Sequence, residues 1–214
     1  MAYLQEKDLK AIQERLKGLS NPVRLVYFTQ ELECQFCRET RQLLEELAPL
    51  SDKFKLEVYN FQLDKARAEE FKIDKIPAIA ILGDKDYGIR FYGIPAGYEF
   101  ATLLDDIIAV SRRDSGLNEK TREKLKTVNK PLHFQVFVTP TCPYCPAAVR
   151  LAHAFAMESE LITADGVEAT EFPHLANKYS VHGVPKTVIN EKHYIEGMMP
   201  EYRFAEESLK ALDL

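Results

Sequence analysis

The sequence predicts an α/β protein of two tandem units, each a mixed β-sheet flanked by helices. Three observations carry this. Apolar residues switch between helical and strand periodicity in the same order twice along the chain. A C-x-x-C pair stands at the matching place in each half, Cys34-Gln35-Phe36-Cys37 and Cys142-Pro143-Tyr144-Cys145. Each pair is followed at one fixed distance by a proline after a β-branched residue: positions 34 and 77, and positions 142 and 185, both differ by 43. At roughly 150 residues per domain, 214 residues hold one large domain or two small ones.

In the first half, residues 8–18 carry Leu9, Ile12 and Leu16 at helical spacing, and Asn21-Pro22 closes the helix. Residues 23–29 are β-branched and aromatic and read as a strand. Leu43, Leu44 and Leu47 continue a helix from Cys34 until Pro49 stops it. Residues 54–61 alternate as a strand, and 64–71 form a short helix capped by Asp64. Residues 77–82 and 89–93 make a hairpin across a turn rich in Gly and Asp. Residues 101–110 form the last helix of this half.

The second half repeats the order: strand 132–138, helix 143–157, strand 161–164, short helix 172–179, hairpin 185–190 and 193–197, helix 202–212. Gly93, Tyr98 and Phe100 match Gly197, Tyr202 and Phe204 once the second hairpin is shortened by four. Strand–helix–strand crossovers followed by a hairpin give a mixed sheet with helices on both faces. The expected boundaries are 1–115 for the first unit, 116–130 for a solvated linker helix, and 131–214 for the second.

Composition narrows the function. With 28 Lys and Arg against 33 Asp and Glu, the net charge is −5, and no basic excess points to nucleic acid or anionic lipid. No apolar run approaches the roughly 18 residues of a membrane span. The chain turns polar within its first eight residues, without the apolar core of a secretory leader, so the expectation is a soluble cytoplasmic protein. All four cysteines belong to C-x-x-C pairs, which leaves none for stapling a secreted domain.

Each pair lies where a strand gives way to a helix. Free N–H groups and the positive dipole end at a helix start favour a thiolate, lowering the pKa of Cys34 and Cys142. Cys37 and Cys145 follow one turn later, close enough to close a small disulfide ring. Pro143 suits the first helical position. The outer thiolate attacks a disulfide, a mixed disulfide forms, and the inner thiol resolves it.

A C-x-x-C at a strand-to-helix turn, followed about 40 residues later by Ile76-Pro77 or Val184-Pro185 opening a hairpin, resembles the thioredoxin/glutaredoxin superfamily. Cys142-Pro143-Tyr144-Cys145 looks like the glutaredoxin active-site motif. Two units in tandem, both keeping the pair, resemble the protein disulfide oxidoreductases of thermophilic archaea and bacteria, over nearly the whole chain. The resemblance implies two thioredoxin-like units with Cys34, Cys37, Cys142 and Cys145 as catalytic residues. It implies cis bonds at Ile76-Pro77 and Val184-Pro185, where an X-Pro bond is otherwise trans in about 95% of cases. Those four residues would line the substrate edge. It further implies protein thiols and disulfides as substrates, electrons from a thioredoxin-reductase-like NADPH flavoenzyme, and no bound cofactor.

The chain also departs from these families. It has no tryptophan, and strands 23–29 and 132–138 carry no Asp to serve as thioredoxin's buried carboxylate. Lys75-Ile76-Pro77 and Gly183-Val184-Pro185 replace the Thr-Val-Pro of glutathione-binding glutaredoxins, which favours protein thiols as substrate.

The two sites differ in charge. Glu31 and Glu33 precede Cys34, and Asp74 stands in the facing loop where the second unit has His182. Carboxylates oppose thiolate formation and a partly protonated His supports it. Arg38 and Lys75 act the other way at the first site. The expectation is that Cys142 has the lower pKa and the more oxidising disulfide, with His182 and Glu33 adjusting the pair. His133, His153, His174 and His193 are scattered singly and read as ordinary surface or strand residues.

Three other readings compete. A dedicated electron relay would resemble the tandem arm of alkyl hydroperoxide reductase flavoproteins, between a flavoprotein reductase and a peroxidase, though that arm keeps one active pair. A zinc module would use the same cysteines, but its pairs are typically about 15–20 residues apart, and here a whole unit intervenes. A chaperone-like binder would tolerate loss of all four thiols.

Overall fold

The computed structural model describes residues 4–213; the chain's first three residues and its last, at 214, lie outside these. The first unit runs α1 (Glu6–Leu16), β1 (Val23–Thr29), α2 (Cys37–Leu47), β2 (Phe54–Asn60), α3 (Lys65–Glu70), β3 (Ala78–Leu82), β4 (Asp86–Tyr92) and α4 (Tyr98–Arg112). After α5 (Glu119–Leu125) the second unit follows with β5 (Leu132–Val138), α6 (Cys145–Glu158), β6 (Ile162–Glu168), α7 (Pro173–Lys178), β7 (Lys186–Ile189), β8 (His193–Glu196) and α8 (Glu201–Leu209).

Each half has the expected mixed sheet, ordered β2-β1-β3-β4 and β6-β5-β7-β8, but the two are fused. Strand β4 pairs in parallel with β6, from Ile89 opposite Ala164 to Tyr92 opposite Val167, giving one eight-stranded sheet. Backbone groups that two separate units would leave on open edges are paired instead. Strand β6 runs to Glu168, past the expected end at 164, because β5 pairs with it from Leu132 opposite Ile162 to Val138 opposite Glu168, with β4 on its other side over Ala164 to Val167. Asp165 survives inside the strand because the His133 imidazole meets its carboxylate at 2.6 Å, so neither is buried without a partner.

The sheet carries a core on each face. One face is covered by α3 and α7 residues, with Phe71, Phe172 and Tyr179 packed on Val26, Phe28, Phe137 and Val188. On the other face lie apolar residues of α1, α2, α4, α5, α6 and α8, including Leu16, Leu44, Leu103, Leu125, Phe155 and Phe204.

Three local expectations are corrected. Asp64 precedes α3 but does not cap it; its carboxylate accepts the Asn60 N–H at 2.7 Å, closing the turn before the helix. Pro143 stands before α6, and Pro146 occupies its first turn. The segment 116–130 is not simply a solvated linker helix: Leu117, Thr121, Leu125 and Val128 are buried, while Lys124 and Lys126 pair outward with Glu206 and Glu123. Its start is set by Asn118, whose side chain accepts the Thr121 N–H at 2.9 Å.

Candidate active site

Strands β1 and β5 end just before the two cysteine pairs, and helices α2 and α6 begin at the second cysteine of each, Cys37 and Cys145. Both pairs are disulfide-bonded, with Cα atoms 5.5 Å apart. The order of burial follows from this placement. Cys37 and Cys145 lie under the sheet ends and are 1% and 0% exposed, Cys142 is 7% exposed, and Cys34 is half-buried.

At the second site the Cys145 N–H, at the start of α6, donates to the Cys142 sulfur at 3.1 Å. That sulfur also lies 3.6 Å from the Val184 carbonyl oxygen. The first cysteine therefore faces the helix N-terminus, where a negative sulfur is favoured. No equivalent bond reaches Cys34 among the described residues. The first site is tied differently: the Tyr27 hydroxyl donates to the Cys37 carbonyl at 2.6 Å. Burial drives the Tyr27 phenol well above its ordinary range, so it acts there as a neutral donor.

Both X-Pro bonds are cis, at Ile76-Pro77 and Val184-Pro185. Their carbonyls are held alike, Pro77 by the Gly93 N–H at 2.9 Å and Pro185 by the Gly197 N–H at 2.8 Å. Pro77 and Pro185 are buried, with Ile76 and Val184 partly exposed beside them. Glu33 and His182 are exposed; Glu33 sits at φ 57°, a left-handed turn leading into Cys34. Asp74 and Lys75, set against each other as influences on the first site, are partners at 2.6 Å, and Lys75 lies 3.7 Å above the Tyr92 ring. Their charges largely offset each other. Tyr144 and Leu32 are exposed next to the cysteines, whereas Phe36 is half-buried.

Sequence reasoning missed the buried carboxyls. Glu99 stands in the first turn of α4 and is only 3% exposed. That turn is docked on the loop before Cys142: the Tyr98 N–H donates to the Pro140 carbonyl at 3.0 Å. A Cβ on Gly97 would collide with the same oxygen. Neither Glu99 carboxylate oxygen has a hydrogen-bond partner among the described residues. Burial pushes Glu99 up to about 7, with Thr102 and His153 pulling partly the other way. His153, expected to be an ordinary surface or strand residue, is fully buried on α6 and meets Asp106 of α4 at 2.7 Å. No pattern could have revealed Glu99, since an acidic residue in a first helical turn usually faces solvent.

A protein disulfide oxidoreductase from Aeropyrum pernix K1 superposes on this chain with a TM-score of 0.92 and 34% identity, covering 98% of this chain and 94% of that one. The chain belongs to the protein disulfide oxidoreductase family. A thioredoxin-domain family model matches residues 132–210 of this oxidoreductase. The alkyl hydroperoxide reductase protein AhpF of Enterococcus faecalis (V583) shares its fold, with a TM-score of 0.88 at 24% identity over 96% of this chain and 99% of that one. Among curated sequences, the corresponding alkyl hydroperoxide reductase protein of Pseudomonas aeruginosa is 25% identical over 86% of this chain and 33% of its own length. A protein named NADH dehydrogenase from Bacillus subtilis is 24% identical over 73% of this chain and 29% of its own. This oxidoreductase thus spans about a third of those curated relatives. As a family member it is a thiol–disulfide oxidoreductase with two C-x-x-C disulfides. Among the described residues no helix is long and apolar enough to cross a membrane.

Proposed function

We propose that the substrates are protein thiols and disulfides, exchanged at both cysteine pairs, in units spanning 1–115 and 131–214 and joined by 116–130. Cys34 and Cys142 are the nucleophiles, and Cys37 and Cys145 resolve the mixed disulfides. The observation that carries this is the Cys142 sulfur held between the Cys145 N–H at 3.1 Å and the Val184 carbonyl at 3.6 Å. A thiolate there is stabilised by the helix start, and a client chain lying along Ile76-Pro77 or Val184-Pro185 meets the sulfur edge-on.

The chemistry balances within the protein and its client. The Cys142 thiolate attacks a client disulfide and expels one client thiolate, which takes a proton. Cys145 then gives up its proton and attacks the Cys142 sulfur, releasing the second client sulfur as a thiol. Cys145 is fully buried, so its proton needs a buried acceptor. We assign that role to Glu99, whose helix turn docks on Pro140, two residues before Cys142, and whose carboxylate oxygens have no hydrogen-bond partner among the described residues and a pKa of about 7. Exposed Tyr144 and Leu32 offer apolar contact to clients of varied sequence. His182 and Glu33 adjust the thiols from the rim. Electrons return through a thioredoxin-reductase-like NADPH flavoenzyme, and the protein needs no cofactor of its own.

Reduction of insulin disulfides, driven by dithiothreitol, tests this with wild type, Cys34→Ser and Cys142→Ser. Activity in wild type that Cys142→Ser nearly abolishes and Cys34→Ser keeps assigns client contact to the second unit. A wild type unable to reduce insulin overturns the general reading. The likeness to the alkyl hydroperoxide reductase proteins favours a second reading, a dedicated relay between a flavoprotein reductase and a peroxidase. In that case only the cognate peroxidase would be reduced.

A further inference from the structure

The two dithiols open on one edge of the molecule. Strand β1 runs antiparallel to β3, and β3 to β4, while β4, β6 and β5 run parallel to one another, so β1 and β5 point the same way. Cys34 and Cys142 follow the C-terminal ends of these two strands. The cis-proline turns precede β3 and β7, which run back from the same edge. Register is level across the fused sheet: Phe28 stands opposite Ala78, Ala78 opposite Tyr92, Tyr92 opposite Val167, and Val167 opposite Phe137. Four strand spacings of about 4.8 Å therefore put the two sites on the order of 20 Å apart. Helices α2 and α6 pack on one face, through Leu44 and Val149, so neither dithiol is turned behind the sheet.

A short segment joins the two sites. The Gly93 N–H donates to the Pro77 carbonyl at 2.9 Å, and the Tyr98 N–H donates at 3.0 Å to the carbonyl of Pro140, two residues before Cys142. Five residue steps span at most about 17 Å, which agrees with the strand count. The exposed apolar side chains follow the same edge. Of eight large ones among the described residues, six lie there: Leu32 after β1, Leu63 after β2, Tyr98 after β4, Tyr144 after β5, and Met198 and Tyr202 after β8. Leu161 precedes β6 and Tyr194 stands within β8. Singly exposed apolar residues are ordinary when scattered, but these are gathered around and between the dithiols.

We propose that this edge is one docking surface for an unfolded polypeptide carrying two cysteines, and that both dithiols act on it in a single encounter. The inference rests on the exchange chemistry proposed above. An extended chain covers about 3.3 Å per residue, so cysteines about six residues apart or more reach both sites. The Cys142 thiolate opens the client disulfide and frees one client thiolate. That thiolate attacks Cys34 in the Cys34–Cys37 disulfide and expels the Cys37 thiolate, which takes a proton. The client is then held at both sites. Cys145 gives up its proton, attacks Cys142 and releases the first client sulfur as a thiol. Cys37 does the same at Cys34 and releases the second. One client disulfide has been reduced and one Cys142–Cys145 disulfide formed, while the first pair has kept the freed client sulfur from closing again.

The test uses the full chain carrying Cys37→Ser and Cys145→Ser, which leaves Cys34 and Cys142 as single thiols. The probes are peptides with two cysteines, each blocked as a mixed disulfide with thionitrobenzoate, separated by about two or about ten residues. Each attack joins one protein sulfur to one peptide sulfur and releases one thionitrobenzoate, read by absorbance. Mass spectrometry separates a peptide held twice by one chain from a peptide held once. At micromolar protein the longer spacer presents its second cysteine at an effective concentration of about a millimolar, so its second release is expected to be on the order of a hundredfold faster than that of the shorter. Leucines in the longer spacer are expected to raise the yield of the doubly held product several-fold over Gly and Ser alone. Equal second rates for the two spacings, or a longer peptide that joins two protein chains and never two cysteines of one, overturns the shared edge. Equal yields with and without leucine overturn the docking role of the apolar side chains. Single adducts at Cys34 and Cys142 report the exchange chemistry separately, so their presence without bridging strikes this inference and leaves the other standing.

Discussion

The Cys145 N–H points at the Cys142 sulfur from 3.1 Å, whereas no such donor reaches Cys34 among the described residues. A thiolate at position 142 therefore gains a charge-assisted hydrogen bond from the helix start. The Cys142 thiolate is expected to appear at lower pH than that of Cys34. Alkylation rates against pH in Cys34→Ser and Cys142→Ser check this. A Cys34 thiolate that forms first would mean that the exposed surroundings of the first site outweigh the helix start at the second.

Glu99 makes stability depend on pH in a defined direction. Its folded-state pKa of about 7 lies above the roughly 4.3 of an unfolded glutamate. Ionisation therefore costs the folded state: the contribution is full below the unfolded value, falls as pH rises toward 7, and then levels off. Glu99→Gln is expected to remove this loss, so that between pH 4 and pH 8 it declines less than wild type by roughly 3 kcal/mol. Urea unfolding at the two pH values measures it. Parallel declines in the two proteins would contradict the buried, unpaired carboxyl.

His153 and Asp106 face each other at 2.7 Å between α6 and α4. Asp106→Ala leaves the imidazole buried without its partner. The expected loss is about 3 kcal/mol, in the range for breaking a buried pair by removing one member. Chemical denaturation with an unchanged denaturant slope measures it; a loss below about 0.5 kcal/mol, the size of an ordinary surface change, would contradict the pairing.

Gly97 has φ 59°, and any Cβ there meets the Pro140 carbonyl. Gly97→Ala combines an unfavourable left-handed conformation, costing on the order of 1–3 kcal/mol, with a collision against the backbone before Cys142. The melting temperature is expected to fall, and reduction of the Cys142–Cys145 disulfide to change more than that of Cys34–Cys37. Equal effects on both disulfides would show that the first turn of α4 does not position the second site.

Much of the fold and of the site is legible in the sequence for a local reason. The repeated spacing of 43, the two C-x-x-C pairs and the alternation of periodicities give the order of strands, helices and hairpins, because such features depend on neighbours close in the chain, while the cis bonds followed from the family resemblance. The limits of β6 are harder to read: Asp165, Gly166 and Glu168 look like the end of a strand until β5 and β4 pair on either side and His133 meets Asp165. The same holds for Asp64, whose preferred partner is the Asn60 N–H and not its own helix.

By itself the sequence determined the duplicated α/β units, the two cysteine pairs and the chemistry those pairs can perform. Only the tertiary structure decided that the two sheets become one, that the segment after Ser111 is partly buried, and that Glu99 and His153 lose solvent. Thiol pairing across three residues is set by the short turn that leads into each helix. The burial of a carboxyl is set by which distant surface closes over it, here the surface of the opposite unit, and no periodicity within its own element records that contact.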